Sequence, residues 1–496
     1  MSEDPVVTQV TYDSREVVPG ALFICKGVHF KPAFLLEALR RGAVAYIGEL
    51  DYPDVDAPAI RVTDIREAIA QAGTLFYDRE WDSLTLIGVT GTKGKSTTTS
   101  FIHEILTAWA RAEGKPRPGI LTSIRYEDGV VDEEATRTTP ETLDLYRHLH
   151  NAVVSNCGAM CLEVSSQALR YQRVANLHFE VGCFLNISED HISPHEHPDY
   201  EDYLTAKLDL FSQSSTAVVN KRTQDLGRVM EAASRSQRVV TFALRESETD
   251  PIQADVVGYG IRRTQNRQEF TADIFGERHD FAVNMQGSFN VDNALAAVTV
   301  AWCLGAPVES IREGLLATRV PGRMEIFHLA RGTTIVVDYA HQKLSIQTVV
   351  DWAKKEYPSS PISMVFGAIG DKGLNRRAEF GLLAGQNADE IYLTEDDPGE
   401  TSVEEICREV EEHVRATGHK PSHIILDRRE AVTQAIREAP DNGVVLILGK
   451  GVERRQIRGE GEIPIPSDLD IVRELLDDQE LLTDQPGWFP GSSRTS

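Results

Sequence analysis

The sequence predicts an α/β protein of three domains: a small N-terminal α/β unit, a central α/β domain that opens on a glycine-rich strand–loop–helix, and a C-terminal doubly wound α/β domain. Three observations carry this. At 496 residues the chain exceeds one compact domain and suits two to four. From Leu84 onward, short apolar runs alternate with longer helical patterns, as βαβ units and a mostly parallel sheet require. The pattern then breaks twice, into short alternating runs with charged turns around residues 250–285 and again at the Pro-Gly of TRVPGRMEIF.

Taken in order, residues 1–83 carry the apolar runs ALFIC and AVAYIG around a basic helical stretch, LLEALRRG, which makes the small α/β unit. Residues 84–321 form the central domain, with strand candidates LTLIGV, AMCLEV, FEVGCFLNI and TAVVN, and a small antiparallel insertion at 250–285. Residues 322–480 carry TTIVVDYA, PISMVFG, EIYLT, SHIIL and GVVLIL, each followed by a helical or loop segment. In such a sheet, ligands are met at the carboxyl ends of the strands. Residues 481–496 are expected to form a flexible tail.

Composition excludes several classes. No apolar run approaches the roughly 20 residues that span a bilayer, so no membrane insertion is expected. The start, MSEDPVVTQVTYDSREV, has neither a basic nor an apolar signal region, which points to the cytoplasm. The six cysteines include no C-x-x-C pair and suit reduced core thiols better than a disulfide framework or a zinc site. A net charge of −25 argues against nucleic acid, which requires a basic footprint. An anionic ligand therefore needs local basic groups or backbone N–H groups.

The segment LTLIGVTGTKGKSTTTSFIHEIL supplies such a place. A strand ends at Val89, Gly91-Thr92-Lys93-Gly94 form a loop, and Lys95-Ser96 open a helix. Glycines let backbone N–H groups face a polyphosphate, and the helix N-terminus favours its charge. Lys95 would reach the terminal phosphates and the Ser96 hydroxyl would ligate Mg²⁺, so the central domain reads as P-loop ATPase-like. The usual pattern has glycine six residues before the lysine, where this chain has Val89.

Three further stretches bear on chemistry. Glu163 ends the apolar strand of AMCLEVSSQAL, where it is either a Mg²⁺ ligand or a strand-end charge in solvent. FLNISEDHISPHEHPDYEDYLTAKLDLF contains His191 and, on a helical pattern, Lys207; its histidines and acids match no zinc spacing. GSFNVDNALAAVTVA starts a helix with Asn290 and Asn293, which either cap it or face a base or ribose. Finally TEDDPGE, residues 394–400, is either a solvated acidic turn or a collector of cations.

In order along the chain, GTKGKS, TTPET, LEVSSQAL, NISEDHISPH, YLTAKLDLF, GSFNVDN, VPGRMEIF, VDYAH, VFGAIGDKG, DDPG and GKGVE resemble the motifs of the Mur ligase family, which builds the peptide of bacterial cell-wall precursors. TTPE, EVSS, GRME, DYAH and GKGxE are similar to the branch that adds the third residue, and YDSREVVPGALFICKG resembles its uridine-binding domain. The resemblance implies an ATP-dependent amide ligase. The terminal carboxylate of UDP-MurNAc-L-Ala-D-Glu takes the γ-phosphoryl group, and the amine of an amino acid displaces phosphate from the acyl phosphate. It also implies two Mg²⁺ ions, small-molecule partners alone and a monomer.

Carried over by position, the resemblance gives Lys95, Ser96, Glu163 and His191 to phosphates and metal, and makes Lys207 an N6-carboxylysine that ligates Mg²⁺. Asn290, Asn293, Arg323 and Asp338 match nucleotide contacts, alongside Gly91, Thr92, Lys93 and Gly94. Ser14, Thr138, Thr139, Ser165 and Arg173 match contacts to the UDP-sugar-peptide. Gln167, Val452 and the loop GTKGKS depart from the usual His, His and GTNGKT, at positions without an assigned catalytic role.

Members that add diaminopimelate carry DNPR, whose arginine pairs with the distal carboxylate. The matching residues here are Asp396, Asp397, Pro398 and Gly399, which repel a carboxylate and attract an ammonium. L-lysine is therefore the expected amino acid and L-ornithine or another diamino acid the alternative, with Glu453 near the α-amino group. Another ATP-dependent ligase such as a folylpolyglutamate synthetase, or an ATP-binding switch without chemistry, are the rival readings. YDSR, TTPE and DYAH oppose the first, and Lys207 with His191 opposes the second.

Overall fold

The computed structural model describes residues 6–27, 30–189, 192, 196–264, 267–370, 375–419, 422–459 and 461–477. The expected tail at 481–496 and His191 lie outside the described residues. Contacts divide the chain into two compact units between Arg319 and Val320.

The first unit contains two sheets. A four-stranded parallel sheet runs in the order β1 (Gln9–Thr11), β2 (Ala21–Ile24), β3 (Ala45–Gly48), β4 (Ala59–Arg61), with helices α1 (Pro32–Arg40) and α2 (Ile65–Phe76). Its strands are short, and β2 is buried along its whole length, as the run ALFIC predicts. Asp64 caps α2 by accepting from the N–H groups of Arg66 and Glu67.

The larger sheet is built from β5 (Thr85–Thr90), β6 (Pro118–Leu121), β7 (Arg125–Glu127), β8 (Asp132–Glu134), β9 (Ala159–Glu163), β10 (Phe179–Phe184), β11 (Ser214–Asn220), β12 (Arg238–Leu244), β13 (Val256–Arg263), β14 (Gln268–Ile274) and β15 (Glu277–Val283). Helices α3 (Lys95–Glu113), α4 (Thr142–Val154), α5 (Ser166–Arg170), α6 (Tyr200–Leu208), α7 (Leu226–Ala233), α8 (Ser288–Cys303) and α9 (Val308–Ala317) connect or follow these strands. The strand order is 15-14-13-12-11-10-5-9-6-7-8. It is parallel from β13 to β6, with antiparallel hairpins at both ends. The expected insertion at 250–285 is thus one of two antiparallel extensions of the same sheet. The other, at β7–β8, is short and polar and left no strand signal. β5 lies between β9 and β10, which brings the carboxyl ends of these three strands side by side.

The second unit comprises β16 (Glu325–His328), β17 (Thr334–Asp338), α10 (Lys343–Glu356), β18 (Ile362–Phe366), α11 (Asn375–Asn387), β19 (Glu390–Leu393), α12 (Val403–Ala416), β20 (His423–Ile424), α13 (Arg428–Glu438), β21 (Val444–Leu448), β22 (Arg455–Arg458), β23 (Gly461–Pro464) and α14 (Asp468–Asp477). Its six-stranded sheet has the order 16-17-21-18-19-20, parallel except for the edge strand β16. The buried runs of β17, β18 and β21 form the core with α13 and α14. β22 and β23 form a separate hairpin. The mixed α/β class and doubly wound second unit agree with the sequence expectation.

Candidate active site

In the first unit the predicted loop joins β5 to α3. Gly94 sits at φ +85°, and a Cβ there would fall 2.2 Å from Asn293 Oδ1, so the start of α8 packs directly on the loop. Asn293 in turn donates to Asn290 Oδ1 at 3.2 Å, and Asn290 donates to the Gln286 carbonyl at 2.7 Å. The two asparagines therefore stand where the sequence pattern puts them, beside the loop.

Two loop N–H groups are already committed. Thr92 N–H donates to the Asn186 carbonyl at 2.9 Å, and Lys93 N–H to Asn186 Oδ1 at 2.9 Å. Asn186, two residues beyond β10, opens the quoted NISEDHISPH but received no role from the sequence. Lys95 Nζ lies 3.1 and 3.3 Å from the carbonyls of Gly91 and Thr92.

Ser96 and Glu163 come together across the β5–β9 boundary. Ser96 Oγ donates to Glu163 Oε1 at 3.1 Å, and Ser123 N–H donates to Oε2 at 2.6 Å. Glu163 is 2% exposed, so the strand-end charge faces inward and the solvent alternative falls. Among the described residues no group of three or more His, Cys, Asp or Glu side chains is arranged to hold a metal ion. A hydroxyl beside a carboxylate is nevertheless a hard-oxygen pair of the kind Mg²⁺ takes when phosphates and water complete its shell.

Lys207 reaches the same loop from α6. Its side chain is 1% exposed, its Nζ donates to the Gly91 carbonyl at 2.8 Å, and it lies 4.7 Å over the Tyr203 ring. Tyr203 OH is 3.1 Å from Thr92 Oγ1.

Thr139, Ser165 and Arg173 gather at the next turn. Thr139 Oγ1 donates to the Glu163 carbonyl at 2.8 Å and accepts from Ser165 N–H at 3.1 Å; Ser165 caps α5. Arg173 donates to the Thr139 carbonyl at 3.2 Å and pairs with Glu141 at 2.7 Å, which also holds Lys26 at 2.5 Å. Burial pulls the Arg173 guanidinium below its ordinary value, although Glu141 opposes this. Its Nε is buried with no hydrogen-bond partner among the described residues, which leaves a donor for an anion. Thr138 is half-buried beside Thr139. Ser14 makes its contact elsewhere, to Glu37 at 3.0 Å.

The second unit holds Arg323, Asp338 and the acidic turn. Asp338 ends β17, where its two oxygens accept from the N–H groups of Met324 and Ala340, both at 2.8 Å. Arg323 stacks 4.5 Å over Tyr339.

The acidic turn is not a solvated loop. Asp396, Pro398 and Gly399 are buried and Glu400 is the exposed member. The loop after β18 presses on it closely: a Cβ on Gly370 would fall 1.7 Å from the Pro398 carbonyl oxygen. On the other side β22 clamps it, with Gly399 N–H donating to the Ile457 carbonyl at 3.2 Å and Ile457 N–H to Asp397 Oδ1 at 3.0 Å.

Sequence reasoning also missed what fills this turn. Lys450, 1% exposed, lies 2.5 Å from Asp397, 3.0 Å from Glu453 and 3.5 Å from Asp396. Burial opposes the Lys450 charge, but Asp396, Glu453 and Asp397 hold the ammonium above its ordinary range. Burial likewise opposes the Asp396 charge, yet Lys450, Arg428 and His341 hold that carboxyl below its usual range. For Glu453 burial wins and pushes the carboxyl up. Arg428, buried against Asp468 at 2.7 Å, ties the turn to β21 by donating to the carbonyls of Glu395 and Leu448, both at 2.9 Å. Lys450 lay in the quoted GKGVE, where a lysine directly after a buried strand was the available signal.

Comparison with known proteins gives a family for both units. Residues 89–301 match the Mur ligase middle domain and residues 322–451 the Mur ligase glutamate ligase domain. The chain is 34% identical to a UDP-N-acetylmuramoyl-L-alanyl-D-glutamate–L-lysine ligase of Enterococcus faecalis, over 95% of this chain and 92% of that one. It is also 34% identical to a UDP-N-acetylmuramyl-tripeptide synthetase of Lactobacillus delbrueckii subsp. bulgaricus, over 96% and 94%. A solved UDP-N-acetylmuramoyl-L-alanyl-D-glutamate–2,6-diaminopimelate ligase superposes with a TM-score of 0.63 at 25% identity, covering 96% of this chain and 95% of that one.

Proposed function

The chain belongs to the Mur ligase family, and from that premise we propose that it joins L-lysine to the D-glutamate of UDP-MurNAc-L-Ala-D-Glu with ATP as phosphoryl donor. The observation that carries the choice of amino acid is the cage of Asp396, Asp397 and Glu453, which already surrounds an alkylammonium, that of Lys450. The distal end of L-lysine is the same chemical group. The 34% identity to a relative named as an L-lysine ligase supports the same choice.

The chemistry proceeds in two displacements. A carboxylate oxygen of the D-glutamate attacks the γ-phosphorus, the bond to the β-phosphate oxygen breaks, and ADP leaves. The α-amine of the amino acid, deprotonated from its ammonium form, attacks the acyl carbon; phosphate leaves with the electron pair of the C–O bond and takes up the second nitrogen proton. A carboxylate alone is a poor electrophile, so catalysis consists of positioning and charge neutralisation.

Residues 1–83 serve the uridine end, with Ser14; Thr138, Thr139, Ser165 and Arg173 take the sugar-peptide. The buried Arg173 Nε supports an anionic partner there. Gly91 to Ser96, with Asn290 and Asn293 from α8, take the nucleotide within the domain 84–321. Ser96, Glu163, His191 and a carboxylated Lys207 would hold Mg²⁺, which neutralises phosphate charge when bound. An ammonium at Lys207 cannot ligate a cation, whereas its carbamate supplies oxygen. No helix among the described residues is long and apolar enough to cross a membrane, in keeping with a cytoplasmic site of action for these substrates.

The test is incubation with ATP, Mg²⁺ and UDP-MurNAc-dipeptide plus L-lysine, L-ornithine or diaminopimelate singly, following phosphate release and product mass. Product with L-lysine is expected. Absence of product with every amino acid refutes the ligase reading, and product with diaminopimelate alone refutes the reading of the cage.

A further inference from the structure

A chain of four side chains, buried at Ser166 and His197 and half-buried at Asp202 and Arg170, joins the β9–α5 elbow to α6. His197 has a fully buried side chain. Its Nδ1 lies 2.6 Å from Asp202 Oδ2, and its Nε2 lies 2.9 Å from Ser166 Oγ. A carboxylate only accepts, so Nδ1 carries a proton and donates to Asp202, while Nε2 shares a hydrogen bond with the Ser166 hydroxyl. Asp202 also pairs with Arg170 Nε at 3.2 Å, so α5 holds α6 at two points.

The order serine, histidine, aspartate is that of a nucleophile with its base and orienting acid. Here, however, Ser166 is 4% exposed and faces a fully buried ring, so no electrophile reaches its hydroxyl. The array holds position instead. What it positions follows from its two ends. Ser166 lies three residues beyond Glu163, the carboxylate at the phosphate loop. At the other end, Tyr203 sets its ring edge against His197, with centroids 5.2 Å apart at 65°. The same tyrosine reaches Thr92 Oγ1 at 3.1 Å and carries Lys207 Nζ at 4.7 Å over its ring.

We propose that His197 is a positioning residue for the ligation reaction, fixing the spacing between Glu163 on one side of the phosphate loop and Thr92 and Lys207 on the other. With both nitrogens bonded and one edge packed, the imidazole has a single orientation, which is what a support for reacting groups requires. The inference rests on the ligase reading above. Truncating the ring removes the hydrogen-bond partner of Ser166 Oγ and the ring that packs on Tyr203, while Arg170 still holds Asp202.

The experiment compares the full chain with His197→Ala and His197→Asn, whose shorter amide can still donate to Asp202. It measures kcat, KM for L-lysine, the MgATP-induced rise in melting temperature, and bicarbonate-dependent mass on Lys207. His197→Ala is expected to lose about 10–100-fold in kcat, the range for residues that orient a reacting shell. It also loses most of the MgATP-induced rise and the Lys207 mass, keeps its KM for L-lysine, and is partly restored in His197→Asn. A kcat within about twofold of wild type, or a loss that disappears when the assay is run well below the variant's melting temperature, overturns the inference. A wild-type chain that makes no product overturns the ligase reading instead, and the MgATP-induced rise then still decides the role of His197: equal rises in wild type and His197→Ala refute it.

Discussion

Replacing Lys450 with methionine tests the acidic cage by removing its cation while keeping much of the side chain's volume. Lys450 is 1% exposed, so its charge is solvated by Asp396, Asp397 and Glu453 rather than by water. Removing one partner of a buried ionic group costs about 3–5 kcal/mol. Asp397 and Glu453 keep 22% and 23% side-chain exposure, which places this case at the lower end. For a unit of this size about 3 kcal/mol lowers the melting temperature by roughly 6–12 °C. The pH dependence fixes the cause. In the wild type Asp396 is held below its ordinary range, so the cage's contribution is present above the ordinary carboxylate pKa and is lost as pH falls through the folded value. In the variant, burial and mutual repulsion raise the three carboxyls, so its deficit is full at high pH and shrinks as pH falls through the raised values. The gap in melting temperature, measured calorimetrically, therefore narrows between about pH 8 and about pH 5. L-lysine should also raise the melting temperature of the variant more than that of the wild type, because the vacated place accepts its ammonium. Equal melting temperatures at about pH 8, or a gap that widens in acid, refute the electrostatic account.

Three other outcomes follow from the first unit. Gly94→Ala puts a Cβ 2.2 Å from Asn293 Oδ1 at φ +85°, and is expected to raise KM for ATP about tenfold while leaving KM for L-lysine unchanged, in steady-state assays. Lys207→Ala is expected to abolish turnover and remove a bicarbonate-dependent mass that wild-type peptides carry; full turnover refutes the assignment. Asp292→Asn is a stability prediction. Burial pushes the Asp292 carboxyl up from 3.8 to about 6, with Asn220 and Arg222 only partly offsetting it. The folded state thus disfavours the charged form, and stability is lost as pH rises through about 6. The amide keeps the 3.0 Å bond from Asn220 and should stabilise the chain at neutral pH by up to about 3 kcal/mol, with no gain in acid, as denaturant melts at two pH values would register.

Most strands were legible because a strand buried on both faces has to be a continuous apolar run, as LTLIGV, PISMVF and GVVLIL are. β7–β8 and β22–β23 were not, since each strand is only three or four residues long and lacks an apolar run, and its pairing depends on partners that local pattern does not reveal. In the candidate site, Ser96 and Glu163 were legible because each sits at a strand or helix end that the pattern locates. Asn186, His197 and Lys450 were not. His197 lay among several histidines and acids of similar appearance, and its significance comes from Ser166, 31 residues earlier. Asn186 meets the loop across 93 residues and Lys450 meets Asp397 across 53, distances over which a single sequence shows no coupling.

The acidic turn shows why net charge is a poor guide to what such a place binds. Asp396, Asp397 and Glu453 bring three formal negative charges to one buried ammonium, and the neighbouring Arg428 is already engaged with Asp468 and two carbonyls. The excess is local and lies between Gly370 on one side and β22 on the other, so bulk water reaches it only in part. On the proposed reading, a distal carboxylate entering there would meet unbalanced negative charge and, with Gly399 where DNPR has its arginine, no fork to receive it. A distal ammonium would meet the same excess as attraction. Discrimination between the two would then come from repulsion as much as from fit.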